Sequence, residues 1–448
     1  MLEILSFLAL VGGFGVWAGL RSSRSILEGW RTAAKAHGLG VEEASILWGG
    51  RLRLKARKGP FQVRIENPQR KGSPARIVLV APWPPDFAGI RIHSGPDKLA
   101  GADETGDELF DQAFSIAGPQ RLLFALLDRK TRLLMVTLNA DYPLEIMDGE
   151  LRAEMLYPDL PDLLELLFEL AHRLVKPMDR AQRLAQNVRR DPNAGMRLGS
   201  LLLLAREFPG EPRTMTALHT ACADASPKIR LRAAQELGAE GRGILRQLAE
   251  SNEDDALRAE AVTSLGGELP PEHTREILVQ ALRRRLHQTA RACLERLGGS
   301  PTPEDISTLA KVLALEKSEL AAAAAQALGA TGSPAAEPPL IEALQHERPD
   351  ACVAAAKALG AIGTAAAVLP LEETAGQALH QELRGAVRQA IAEIQSRLQG
   401  ASPGQLSLAQ PAGGELSLAE AEAGELSLAD PADDAKGRLS LPAEESRE

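Results

Sequence analysis

One helical phrase returns seven times between Arg197 and Arg397, a small-residue-rich amphipathic stretch that closes on Leu-Gly or a near equivalent. Its clearest copies run from Ile229 to Gly241, Leu257 to Gly267, Leu320 to Gly332 and Ala351 to Gly363. The closing glycines are Gly238, Gly266, Gly298, Gly329 and Gly360, with Ala205 and Ala392 holding the same place at the two ends, so the steps are 33, 28, 32, 31, 31 and 32 residues. A near-constant period of this size means stacked supersecondary units, each too small to bury its own apolar face. Such a stack is a scaffold, and the pattern does not name what it holds.

In period and phrase these units resemble the HEAT-like repeats of the short, phycobilisome-lyase type, about 30 residues to a helical hairpin. The resemblance covers 190 to 398 and implies an all-α solenoid of about seven hairpins. Each unit reads as a first helix, such as Gly243 to Glu250 or Glu337 to Gln345, a turn, and then the helix carrying the phrase. Ser226-Pro227 and Ser333-Pro334 read as helix cap and first helical residue, and Asp350 and Ser318 as further caps. The closing glycines suit the left-handed residue that ends a helix.

The first twenty residues carry one charge, Glu3, and are long enough to cross a bilayer core as a helix. Arg21, Arg24, Arg31 and Lys35 follow them, which by the positive-inside rule leaves the bulk of the chain on the cytoplasmic side of a single-pass anchor, 1–20. The rival reading is an exported protein cleaved near Ala18. Cys222, Cys293 and Cys352 are odd in number and sit in alanine-rich phrases, as buried apolar residues do.

Residues 25–180 read as an α+β domain. A helix from Ser25 to Gly38 precedes a hairpin, Arg51 to Arg57 and Phe61 to Ile65, turning at Lys58-Gly59-Pro60. Further strands are expected at Arg76 to Ala81 and Ile90 to His93. A helical phase at Gln120 to Leu138, short strands from Tyr142 to Met155 and a helix from Asp159 to Val175 complete the domain. The stretch Asp107 to Gly118 is similar to a segment of uncharacterised bacterial membrane-anchored domains, which implies no activity. The basic hairpin face of Arg51, Arg53, Lys55 and Arg57 reads either as a solvated sheet face or as a contact with anionic lipid beside the anchor.

No catalytic motif, cofactor loop or metal-ligand spacing occurs, and all fifteen aromatic residues lie at or before Phe208. A solenoid without aromatic platforms is poorly equipped to stack nucleobases. Two alternatives to a scaffold remain: a lyase-type enzyme subunit, and a nucleic-acid binder using Arg197, Arg206, Arg230, Arg232 and Arg258. Glu253-Asp254-Asp255 reads as helix capping, and Arg283-Arg284-Arg285 as a solvated helix face or an anion patch.

Beyond Leu398 the periodicity stops. Residues 399–448 read as a disordered acidic tail, with ten acids against three bases in the last 48 residues of a chain of net charge −9. Four G-x-L-S-L phrases repeat there, carrying Leu406, Ser407 and Leu408; Leu416, Ser417 and Leu418; Leu426, Ser427 and Leu428; and Leu439, Ser440 and Leu441. They read as an array of short docking motifs. The whole is thus expected to be a multidomain protein of anchor, α+β domain, HEAT-like solenoid and disordered tail. Protein partners are expected, without an enzyme's site, a cofactor or nucleic acid.

Overall fold

The computed structural model describes residues 23–397 apart from 48–50, 68–73, 85–86, 88, 96–98, 156–159, 177–178, 300 and 378–379. It divides into two units, one ending at residue 300 and the other beginning at 301. The expected anchor, 1–20, and the four tail phrases from Leu406 to Leu441 lie outside the described residues. Among those described, no helix is long and apolar enough to cross a membrane.

The first unit opens with helix α1 (23–36) and strands β1 (Gly40–Ile46), β2 (Leu52–Lys58), β3 (Phe61–Glu66), β4 (Ala75–Val80) and β5 (Arg91–Ser94). Helix α2 (Glu108–Ala113), strand β6 (Phe114–Ala117), helices α3 (Gln120–Leu126) and α4 (Arg129–Asp141), strands β7 (Leu144–Met147) and β8 (Glu150–Met155) and helix α5 (Leu160–Val175) follow. All eight strands form one antiparallel sheet in the order β1-β2-β3-β4-β8-β7-β5-β6. Alternation sets its faces. Leu54, Ile65, Ile77 and Leu79 are fully buried and pack with Trp30 of α1 and with Leu163, Leu167 and Leu170 of α5.

Two turns show why the hairpins close where they do. Gly59 takes φ 57° at the first place of the β2–β3 turn and proline fills the second, the pattern a type II′ turn requires. Asp148-Gly149 joins β7 to β8 with φ 54° and 75°, as a type I′ turn requires. The sheet also contains β1 and β6, which sequence patterning does not predict. Strand β1 lies at an edge and is only half-buried, so it tolerates Glu42 and Glu43. Strand β6 is buried at every residue and so shows no alternation. The Asp107 to Gly118 stretch is therefore a short helix running into a buried strand.

The repeats follow as paired helices. In the first unit they are α6 (Arg180–Arg190) with α7 (Ala194–Glu207), α8 (Pro212–Ala221) with α9 (Pro227–Leu237), α10 (Arg242–Glu250) with α11 (Asp255–Leu265), and α12 (Pro271–Arg284) with α13 (His287–Gly299). In the second they are α14 (Pro303–Leu315) with α15 (Leu320–Ala330), a short α16 (Glu337–Glu342) with α17 (Pro349–Ile362), and α18 (Val368–Gln377) with α19 (Gln381–Arg397). The second helix of each pair carries the phrase.

The closing glycines do two different jobs, which corrects the expectation of one left-handed cap. Only Gly238 and Gly266 leave the helix with positive φ, 56° and 48°, and their ψ of −115° and −127° places them outside the left-handed helical region, in a conformation open to glycine. Gly298 lies inside α13, whereas Gly329 and Gly360 lie inside α15 and α17, where a Cβ would strike Ala358 and crowd Ala390 of the next phrase helix. These two glycines serve close helix approach. The caps need correction too: Arg348 and Glu319 occupy the N-cap positions of α17 and α15, so Asp350 falls in a first turn and Ser318 precedes the cap. Thr302 and Asp305 form a reciprocal capping box on α14 that sequence analysis missed.

An arginine ladder ties neighbouring repeats. Arg197, Arg230 and Arg258 stand at the same place in three consecutive phrases, eight residues before Ala205, Gly238 and Gly266. Arg197 donates to the carbonyl oxygens of Asp191 and Pro192 and pairs with Asp224 at 2.8 Å. Arg230 does the same one repeat later, with the carbonyls of Asp224 and Ala225 and with Glu253 at 3.0 Å. Arg258 is fully buried and donates from Nε to the Ala249 carbonyl, but its two terminal nitrogens lack partners among the described residues. At the turn where its acid belongs the chain has Arg284 and Arg285. Burial, and then the charge of Arg284, lower the pKa of Arg258. Replacing Arg284 with Glu is expected to raise stability by about 1 kcal/mol by supplying the missing partner, read as a higher denaturant midpoint at unchanged m; an unmoved midpoint would show that these nitrogens need none.

Candidate interaction surfaces

In the second unit a groove of about 670 Å³ runs across consecutive phrase helices. Ala322 and Gln326 of α15, Val353, Ala354 and Lys357 of α17, and Glu382 of α19 line it. Gln326 and Lys357 occupy one repeat position, three residues before Gly329 and Gly360, and both are exposed. The same position in other phrases holds Thr263, Glu295 and Gln389, also exposed. The phrases therefore share one outward polar position, and in α15 and α17 it stands on helices otherwise buried largely through alanines. At the groove's edge Arg348 and Asp350 pair at 2.7 Å, which raises the one pKa and lowers the other.

A second feature belongs to the first unit, where the sheet domain meets the first hairpin. Helix α3 packs on α6 and α7 so closely that a Cβ on Gly199 would enter the Phe124 ring, and Gly106 meets Gly195 backbone to backbone. Buried Asn187 donates to the Phe124 carbonyl. Arg132, 2% exposed, donates to Asp107 at 2.7 Å, to both carboxylate oxygens of Asp191 at 3.0 Å and to the Leu127 carbonyl. Burial alone lowers an arginine's pKa, but the Asp191 and Asp107 carboxylates outweigh it and the value is raised. Nearby, Asp128 caps α4 through Thr131 and receives Arg173 at 3.0 Å and Arg183 at 2.7 Å. Burial opposes its charge, but the Thr131 and Arg173 interactions prevail and lower its pKa.

The arginines and lysines singled out in the sequence are mostly neutralised. Arg53, Lys55 and Arg57 pair with Glu66, Glu43 and Glu42 across the adjacent strands at 2.9–3.2 Å, and Arg51 also has an interaction partner. Arg206 pairs with Glu207 and Arg232 with Glu260, while Arg258 is buried, so the five arginines of the nucleic-acid reading do not form a free cationic surface. Asp255 caps the helix of the following repeat instead of its own, accepting from Gln288 N, Thr289 N and the Thr289 hydroxyl. Burial works against its ionisation, but the Thr289 hydrogen bonds hold its pKa down. Arg285 ends α12 in the left-handed conformation. Cys293 and Cys352 are buried, and burial pushes the Cys293 thiol up to about 12. Among the described residues no group of three or more His, Cys, Asp or Glu is placed to hold a metal ion.

Paired helices at a near-constant step define an α-helical repeat protein over this part of the chain. Residues 244–329 and 313–392 match the family model for HEAT repeats, which assigns the repeats there to that kind. No curated protein matches the chain. Among solved structures it is similar to an engineered protein at 20% identity, covering 41% of this chain and 96% of the other with a TM-score of 0.28. It is similar to importin beta at 16% identity, covering 63% and 41% with a TM-score of 0.41. Human deoxyhypusine hydroxylase in complex with glycerol is 21% identical, with 48% and 96% covered and a TM-score of 0.21.

Proposed function

We propose that this chain is a scaffold that gathers protein partners through its HEAT repeats and its tail phrases, held to the cytoplasmic face of a membrane by residues 1–20, and is not itself an enzyme. The observation that supports it is the family match over 244–392 together with the outward polar residues of successive phrases above the groove of α15, α17 and α19. A stacked surface of this kind recognises extended partners by many modest contacts. The tail adds a second mode. In an extended Leu-Ser-Leu phrase both leucines face one way, suited to pockets beside a partner's sheet edge, and four copies on one chain raise the local concentration for rebinding.

The test compares partner recovery by the full-length protein and by a variant with all eight tail leucines replaced by alanine. The tail-dependent partners are expected to fall by at least tenfold, with a modest loss when only Leu406 and Leu408 are replaced. Equal recovery by the eight-leucine variant would remove the tail from the proposal.

A further inference from the structure

In a chain of net charge −9, one cleft of about 440 Å³ is strongly cationic. It lies in the first unit between the first turn of α4, the end of α5 and the outer face of α6. Six cations line it, Arg129, Lys130, Arg173, Lys176, Arg183 and Arg190, against Asp128 and Asp191. The two carboxylates are already engaged: Asp128 holds Arg173 and Arg183, and Asp191 holds Arg132 from behind. The side chains of Arg129, Lys130, Lys176 and Arg190 make no ion pair or hydrogen bond among the described residues.

The helix dipole favours Arg190 in the last turn of α6, but it does not account for Arg129 and Lys130. Arg129 and Lys130 stand in a first helical turn that carries no acidic residue, where the helix dipole disfavours positive charge. Local choices that work against the fold and gain no partner are expected at functional sites. The floor beneath them is rigid, since Arg132, Asp191 and Asn187 are buried and hydrogen-bonded. The cleft is therefore a fixed frame with four free cations on flexible stems.

The ligand must match that charge and lining. Among the described residues no aromatic side chain lines the cleft, so a base or sugar ring has nothing there to stack on. One carboxylate brings a single charge, whereas a phosphoryl group brings nearly two and three strong acceptors, which arginine meets with paired donors and lysine as a point charge. We propose that this cleft binds a ligand presenting two or more adjacent phosphoryl groups, recognised through the phosphates alone. This inference does not rest on the scaffold reading.

Titration calorimetry of the full-length protein in detergent with inorganic tripolyphosphate tests it. One site is expected, weakened at least tenfold in Lys130→Gln/Lys176→Gln/Arg190→Gln, whose exposed substitutions should leave the melting temperature unchanged, and weakened by added salt. Vesicles displaying a bisphosphorylated headgroup separate the sources: binding to tripolyphosphate alone points to a soluble ligand, and triple-variant-sensitive binding to vesicles points to a lipid. No binding to either, or equal binding by the triple variant, would overturn the proposal. So would displacement of tripolyphosphate at equal concentration by a synthetic 399–448 peptide, which would make the acidic tail the occupant.

Discussion

Replacing Arg132 with alanine is expected to destabilise the first unit by about 3–5 kcal/mol, because truncating one partner of a buried ion network leaves the other charge uncompensated. The Asp191 side chain is 1% exposed and Arg132 supplies both of its guanidinium hydrogen bonds, while the same arginine holds Asp107 and the Leu127 carbonyl. The network joins the sheet domain, α4 and the start of the first phrase helix. Loss should therefore appear as a single lowered transition for that unit in denaturant. A cost under about 1 kcal/mol, the range of surface pairs, would mean the network is solvated and not buried.

Leu359→Asp is expected to cost about 4 kcal/mol or more in the second unit, and Leu328→Asp a comparable amount. Both leucines are fully buried near the ends of α17 and α15, where a carboxylate has no partner. Repeat stacks transmit such damage to neighbours, so amide exchange in α15 and α19 should accelerate together with that of α17 in the Leu359→Asp protein. Acceleration confined to α17 would show that these hairpins do not stabilise one another.

The repeats were legible because a period survives in sequence whatever its helices pack against. The two glycine roles were not, since Gly238 and Gly329 each follow a leucine, yet one ends its helix at positive φ and the other lies inside a helix where the neighbouring helix arrives within reach of a Cβ. The ladder of Arg197, Arg230 and Arg258 was written in the same register as the glycines. Its meaning depends on acids one repeat further along, and so do the missing partners of Arg258. In the sheet domain, alternation revealed β2, β3 and β4, whose faces differ, and was silent on β6, which is buried on both. The cationic cleft had no sequence signature because Lys130, Lys176 and Arg190 come from three separate helical segments and meet only in the fold. Where charge was read from sequence, at Arg53, Lys55 and Arg57, the acids that pair with it were on the strands to either side.

The most direct test of the scaffold account is the rate at which Lys357 is acylated in the full-length protein, free and with its co-purified partner bound. Lys357 is exposed in the groove, while Lys311 of α14 is exposed outside its lining. The account predicts that partner binding slows labelling of Lys357 by at least fivefold and leaves Lys311 unchanged, and that Gln326→Arg/Lys357→Glu releases the partner. Labelling of Lys357 at one rate in both states, with the partner retained by that double variant, would contradict it.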